Sequence, residues 1–224
     1  MINERLTSIR EKISEAAVKG GYDPGDVKLV AVTKNVSTGV INEAVKTGIT
    51  DLGENRLQEA LPKIAGLPED INWHFIGYLQ TNKVKDVIDN FSLIHSLDRW
   101  KLAQALEKRA QQTDTDVAAL VQINTSGEET KYGLAPEELE DFLTDIKELK
   151  RVKVKGLMTM APFTEDPEET RPYFRMLRDL KEKTEIPGIE LRYLSMGMTN
   201  DYHIAVEEGA NIVRVGTALF GGRT

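Results

Sequence analysis

The sequence predicts a single (β/α)8 barrel of the TIM type, preceded by one extra helix. Three observations predict it. Apolar runs of strand length alternate with amphipathic helical stretches along the whole chain, about eight of each. No linker, internal repeat or low-complexity segment interrupts that alternation. The length, 224 residues, suits one slightly trimmed barrel of roughly 250 and leaves no room for a second full domain. Residues 1–224 therefore read as one domain. Such alternation implies parallel strands joined by right-handed helical crossovers. An open doubly wound sheet would share that pattern, but a count near eight favours the closed barrel.

The elements follow in order. Ile2 to Val18 carries Leu6, Ile9, Ile13, Ala16 and Ala17 at helical spacing. Gly20-Gly21 stops this extra helix, read as a cap on the barrel bottom, and Asp23-Pro24-Gly25 makes a turn. Leu29 to Val32 is an unbroken apolar run, as expected of a strand covered on both faces. Further strands are predicted at 49–52, 73–76, 93–94, 118–123, 152–157, 189–194 and 212–215. The helices between them are predicted at 38–46, 56–64, 82–89, 99–112, 136–149, 167–184 and 201–208. Pro136 stands at a helix start, where its missing N–H costs nothing. The acidic run Glu137 to Asp141 suits the first turn of that helix.

Composition narrows the function. Lys and Arg number 29 against 36 Asp and Glu, a net charge of −7. That argues against general nucleic-acid binding, which needs a basic face, but leaves room for one small anion pocket. There is no cysteine, so disulfides, thiolate nucleophiles and thiolate metal sites are excluded. The three histidines (His74, His95, His203) lack metal-ligand spacing and read as hydrogen-bonded structural residues. A charged amphipathic N-terminus and the lack of a long apolar run predict a cytoplasmic protein with no membrane partner.

In either α/β architecture the site lies at the carboxyl ends of the strands. Lys34 ends the first strand. A pocket lysine can lose its charge through desolvation and bond to a carbonyl carbon; a strand-end lysine can equally reach out to water. Ser195-Met196-Gly197 and Gly216-Thr217 put glycines and hydroxyls at the last two strand ends, where barrels often hold phosphate. Tight-turn chemistry explains the same residues. Arg214 sits among Ile212, Val213 and Val215, so it either enters the barrel and needs a partner or faces outward to a carboxylate.

Six ordered segments carry a family resemblance. They are Ala31-Val32-Thr33-Lys34, Gly53-Glu54-Asn55-Arg56, Trp73 to Gly77 with Leu79 to Lys83, Gly156 to Met160, Leu194 to Met198, and Val213 to Gly221. Together they resemble the pyridoxal phosphate homeostasis protein family, related to the N-terminal barrel of alanine racemase. Tyr78 departs from it, standing where many relatives carry histidine or proline. The resemblance implies pyridoxal 5′-phosphate (PLP) held as a Schiff base, an internal aldimine, on Lys34. It implies Ser195, Gly216 and Thr217 on the phosphate, helped by the backbone of Met196 and Gly197. It implies Arg214 facing the pyridine nitrogen and Asn55 beside the cofactor. A chain of this length is expected to lack the second catalytic domain of alanine racemase, and nothing in the sequence aims Tyr78, Tyr132 or Tyr202 at the cofactor. The expectation is a monomer that holds PLP, buffers it and delivers it to apo PLP-dependent enzymes. The alternatives are a monomeric amino-acid racemase of low activity and a phosphate-binding barrel unrelated to pyridoxal.

Overall fold

The structure, a computed structural model, describes residues 1–222. Among them, eight parallel strands pair in chain order and close into a barrel. They are β1 (Lys28–Val32), β2 (Asp51–Glu54), β3 (Asn72–Phe75), β4 (Leu93–Leu97), β5 (Val117–Gln122), β6 (Val152–Met158), β7 (Tyr193–Ser195) and β8 (Ile212–Val215). Around them run α1 (Ile2–Gly20), α2 (Thr38–Lys46), α3 (Leu57–Ala65), α4 (Val84–Ile88), α5 (Trp100–Thr113), α6 (Leu139–Ile146), α7 (Arg171–Lys183), α8 (Tyr202–Glu207) and α9 (Thr217–Phe220). The seam is β1 against β8, with Lys28 opposite Ile212 and Ala31 opposite Val215. That pairing rules out the open sheet.

Two apolar layers form the core. Val30, Leu93, Leu120, Met158 and Ile212 fill the barrel. Leu52, Ile94, Val121, Leu157, Val213 and Val215 belong to the layer beneath the helices. Successive side chains of a strand face opposite ways. In β8, Ile212 is inside and Val213 outside, so Arg214 enters the barrel.

The buried stripe of α1 is Leu6, Ile9, Ile13, Ala16 and Ala17, as its periodicity predicts. The helix does not serve as the expected bottom cap. It packs against α8 and α9 in the helical layer. Those helices have only 6 and 4 residues, so the wall beside β8 needs the extra cover that the 19 residues of α1 supply.

Three strands depart from the expected positions. β4 runs past the expected Ile94 to Leu97, all of it buried, so His95 and Ser96 lie within the strand. β2 begins at Asp51 rather than Ile49, and all four of its residues are buried, including Asp51 and Glu54. Charged residues inside a strand hide it from an apolar reading. β7 is confined to Tyr193–Ser195, because Pro187 and Gly188 (φ 91°) lie in a turn and Leu191 packs on the core from a loop.

Candidate functional site

The first strand ends in a turn built from below. Thr33 is buried; its hydroxyl donates to Glu54 Oε1 at 2.7 Å and its carbonyl accepts from Lys63 Nζ at 2.8 Å. Lys63 also pairs with Glu54 at 2.5 Å. Lys34 follows, half-buried, and Asn35 adopts φ 59°, a left-handed conformation that asparagine tolerates better than most residues. Glu59 on α3 accepts the Asn35 N–H at 3.3 Å. The neighbours of Lys34 are thus held from α3, Thr33 by Lys63 and its buried partner Glu54, and Asn35 by Glu59.

A cavity of about 460 Å³ opens at the same end of the barrel, among the ends of β1, β6, β7 and β8. Its wall includes Val32, Thr199, Asp201, Arg214, Gly216 and Thr217. Gly197 shapes the adjoining turn. It adopts φ 89°, and a Cβ there would stand 2.5 Å from Ala205 Cβ on α8. Asp201 caps that turn by accepting the Met198 N–H at 2.6 Å. Burial pushes the Asp201 carboxyl up, opposed by that N–H and by the charge of Arg214.

Arg214 is 3% exposed. Its guanidinium donates to Ser195 Oγ and, at 2.9 Å, to the Thr159 carbonyl. Both partners are neutral oxygens, and among the described residues no carboxylate forms an ion pair with it. Burial pulls Arg214 down to about 10, with the charge of Asp201 opposing. At neutral pH it is still a cation, buried at a cavity wall and short of a counter-charge, which is costly unless a ligand supplies the missing contact.

Behind Arg214, polar contacts continue through the barrel. Ser195 Oγ lies 2.9 Å from His95 Nδ1, and His95 Nε2 lies 2.9 Å from His74 Nδ1. His74 Nε2 in turn lies 2.9 Å from Asp51 Oδ1. Burial, then the charges of His74 and Arg214, hold His95 well below the usual histidine range, so its ring is neutral. Asp51 lies well below the carboxylate range. Burial opposes its charge, but hydrogen bonds from His74, Lys28 and Thr50 outweigh burial.

Similarity to known proteins places this geometry. The family described as alanine racemase, N-terminal domain, matches residues 6–224. A pyridoxal phosphate homeostasis protein of Aquifex aeolicus is 46% identical over 222 residues, covering 98% of this chain and 97% of that protein. The chain belongs to the pyridoxal phosphate homeostasis family. The solved structure of PipY of Synechococcus elongatus with PLP bound is 36% identical, with a TM-score of 0.83 over 99% of this chain and 100% of that one. A Clostridium difficile alanine racemase in complex with cycloserine shares the fold at 18% identity and a TM-score of 0.69, but this chain covers only 56% of it.

For this member of the pyridoxal phosphate homeostasis family, the cavity brings Arg214, Gly216 and Thr217 together. Ser195 and Met196 are fully buried behind it, and the Ser195 hydroxyl is engaged by Arg214 and His95. Lys34 and Asn55 stand at the same barrel end but not in the cavity wall. Asn55 lines a neighbouring cavity of about 170 Å³ with Tyr78, and its side-chain oxygen is buried without a hydrogen-bond partner. Gly77 permits this arrangement, since a Cβ there would lie 2.2 Å from the Asn55 carbonyl oxygen. Tyr78 stacks on Tyr132, ring centres 4.2 Å apart, and Tyr202 is buried in α8. None of the three tyrosines lines the 460 Å³ cavity. Sequence reasoning missed Thr199, Asp201, Glu54, Lys63, Asp51 and the roles of His74 and His95. One signal was available: Leu57, Ala60 and Lys63 share a stripe at three-residue spacing, which puts a lysine where an apolar residue belongs.

Proposed function

We propose that this protein binds PLP at the carboxyl end of the barrel, covalently through Lys34, and that it stores the cofactor and hands it to apo-enzymes. The observation that carries the reading is Arg214, a buried guanidinium at a cavity wall that forms no ion pair with any carboxylate among the described residues. The cavity volume falls within the roughly 300–1,000 Å³ of small-ligand pockets. Bound PLP supplies an electrophilic aldehyde and an electron-accepting ring. The PLP named for PipY, a full-length relative, supports the same occupant here.

The chain's own residues divide the work. Lys34 Nζ is the nucleophile, on a turn anchored through Thr33 to Lys63 and Glu54. Gly216 and Thr217, with Thr199 across from them, hold the phosphate; Gly197 and Met196 set the adjoining turn. Asn55 Oδ1, buried and unsatisfied, has an acceptor to offer. Arg214 only donates at ordinary pH. It can hydrogen-bond a ring nitrogen but cannot protonate it, which weakens carbanion chemistry and favours storage. Racemisation also needs proton-transfer groups on both faces of a substrate. No tyrosine in the cavity wall offers the second, which argues against the racemase reading.

The test is transfer. PLP-loaded protein is mixed with an apo PLP-dependent enzyme while a matched sample receives free PLP and a PLP-trapping competitor. Activation that survives the competitor supports delivery. Activation no faster than spontaneous release leaves storage alone.

A further inference from the structure

We infer that Asp51, His74, His95 and Ser195 form a one-way hydrogen-bond chain through the barrel that positions Arg214 and leaves Ser195 without a proton to offer the phosphate. The inference rests on the proposed PLP site for its functional meaning. Its geometry stands without PLP.

The two ends of the chain set its direction. Arg214 can only donate, and it donates to Ser195 Oγ. Asp51, ionised, can only accept, and its Oδ1 faces His74 Nε2. Between them stand one hydroxyl and two imidazoles, joined by contacts of 2.9 Å. When each ring carries a single proton, each of these three groups has one proton to give. Asp51 takes the proton on His74 Nε2, which leaves His74 Nδ1 bare. His95 must then donate from Nε2, leaving its own Nδ1 bare. Ser195 must donate its hydroxyl to His95 Nδ1, and its free lone pair accepts from Arg214. With that proton count, only this arrangement satisfies every contact.

The elements explain why the chain exists. Asp51 opens β2, His74 lies on β3, His95 on β4, Ser195 closes β7 and Arg214 lies within β8. The chain therefore crosses the barrel interior from the amino end of β2 to the cavity. Its lower end borders a second cavity of about 330 Å³, beside Lys28, which pairs with Asp51 at 2.8 Å. The charged groups facing the chain are Lys28 and Asp51 at one end, with Lys155, Glu190 and Arg192 around the cavity there, and Arg214 and Asp201 at the other. Because the upper end is an arginine, the chain does not move protons at neutral pH. It fixes the Ser195 rotamer and, through it, the guanidinium. These are positioning residues. Phosphate hydrogen bonds must then come from Thr199, Thr217 and backbone N–H groups.

Two measurements test this. The first uses ligand-free wild-type protein and long-range proton–nitrogen NMR of the histidine rings at pH 8. The expected result is Nε2–H with bare Nδ1 in both His74 and His95; an Nδ1–H form in either ring overturns the inference. The second compares PLP affinity of wild type, His95→Leu and His95→Gln by absorbance titration. Glutamine can still accept from Ser195 and donate onward. The expected loss for His95→Leu is about tenfold or more, as for other outer hydrogen-bond partners of a bound group, with partial recovery in His95→Gln. Equal affinity in all three overturns positioning. Absence of PLP binding by wild type refutes the proposed function and leaves the NMR result to decide the chain.

Discussion

Lys63→Met isolates the buried foundation of Lys34. Lys63 is 9% exposed and Glu54 fully buried, and Lys63 Nζ bonds both Glu54 Oε1 and the Thr33 carbonyl. Methionine fills a similar space but leaves Glu54 buried and charged, with the Thr33 hydroxyl as its remaining partner. Removing one member of a buried pair typically costs about 3–5 kcal/mol. At about 2–4 °C per kcal/mol for a domain of this size, the thermal midpoint should fall by roughly 6–20 °C. Glu54→Gln added to Lys63→Met removes the stranded charge and should recover at least half of that loss. Thermal and urea unfolding of the four proteins in the cycle measure both quantities, and PLP titration shows whether the turn still presents Lys34. A single variant within 1 °C of wild type, or a double variant whose loss is the simple sum of the two singles, refutes the reasoning.

Other outcomes follow from neighbouring residues. Asp51 is held below its ordinary 3.8, so it contributes stability above about pH 4 that is lost as pH falls toward its depressed value. Urea midpoints between pH 6 and 2 should therefore fall more steeply in wild type than in Asp51→Asn; parallel slopes contradict this. Gly197→Ala forces a left-handed φ on a residue with a Cβ and drives that Cβ against Ala205. It should cost at least about 2 kcal/mol in urea unfolding and weaken PLP binding, and wild-type stability would show the turn to be freely adaptable. Chiral chromatography after incubation of loaded protein with L-amino acids should show no D-isomer beyond that formed by free PLP. Clear excess conversion would restore the racemase reading.

The barrel was legible because its signals are local. The stripe on α1, the apolar run of β1 and the Ile212–Val215 strand each announce themselves within a few residues. β2 and β7 were misplaced because their boundaries depend on partners far away: Asp51 can be buried only because His74 and Lys28 meet it, and Tyr193–Ser195 is a strand only where β6 and β8 flank it. The site divides in the same way. The strand-end positions of Lys34, Gly216 and Thr217 were legible, and the two readings left open for Arg214 are resolved by the inward parity of β8. The chain from Ser195 to Asp51 joins four strands whose residues lie up to 144 positions apart (195 − 51). No spacing rule within one segment reveals such a chain, and the histidines looked isolated for that reason.

The central claim is that Lys34 is the point of covalent attachment. The direct measurement saturates the protein with PLP, reduces it with borohydride and maps the peptides by mass. The account predicts a phosphopyridoxyl group on the peptide containing Lys34, together with its loss in Lys34→Ala. Protein that stays colourless and unlabelled at Lys34, or that carries the group only on another lysine, contradicts it.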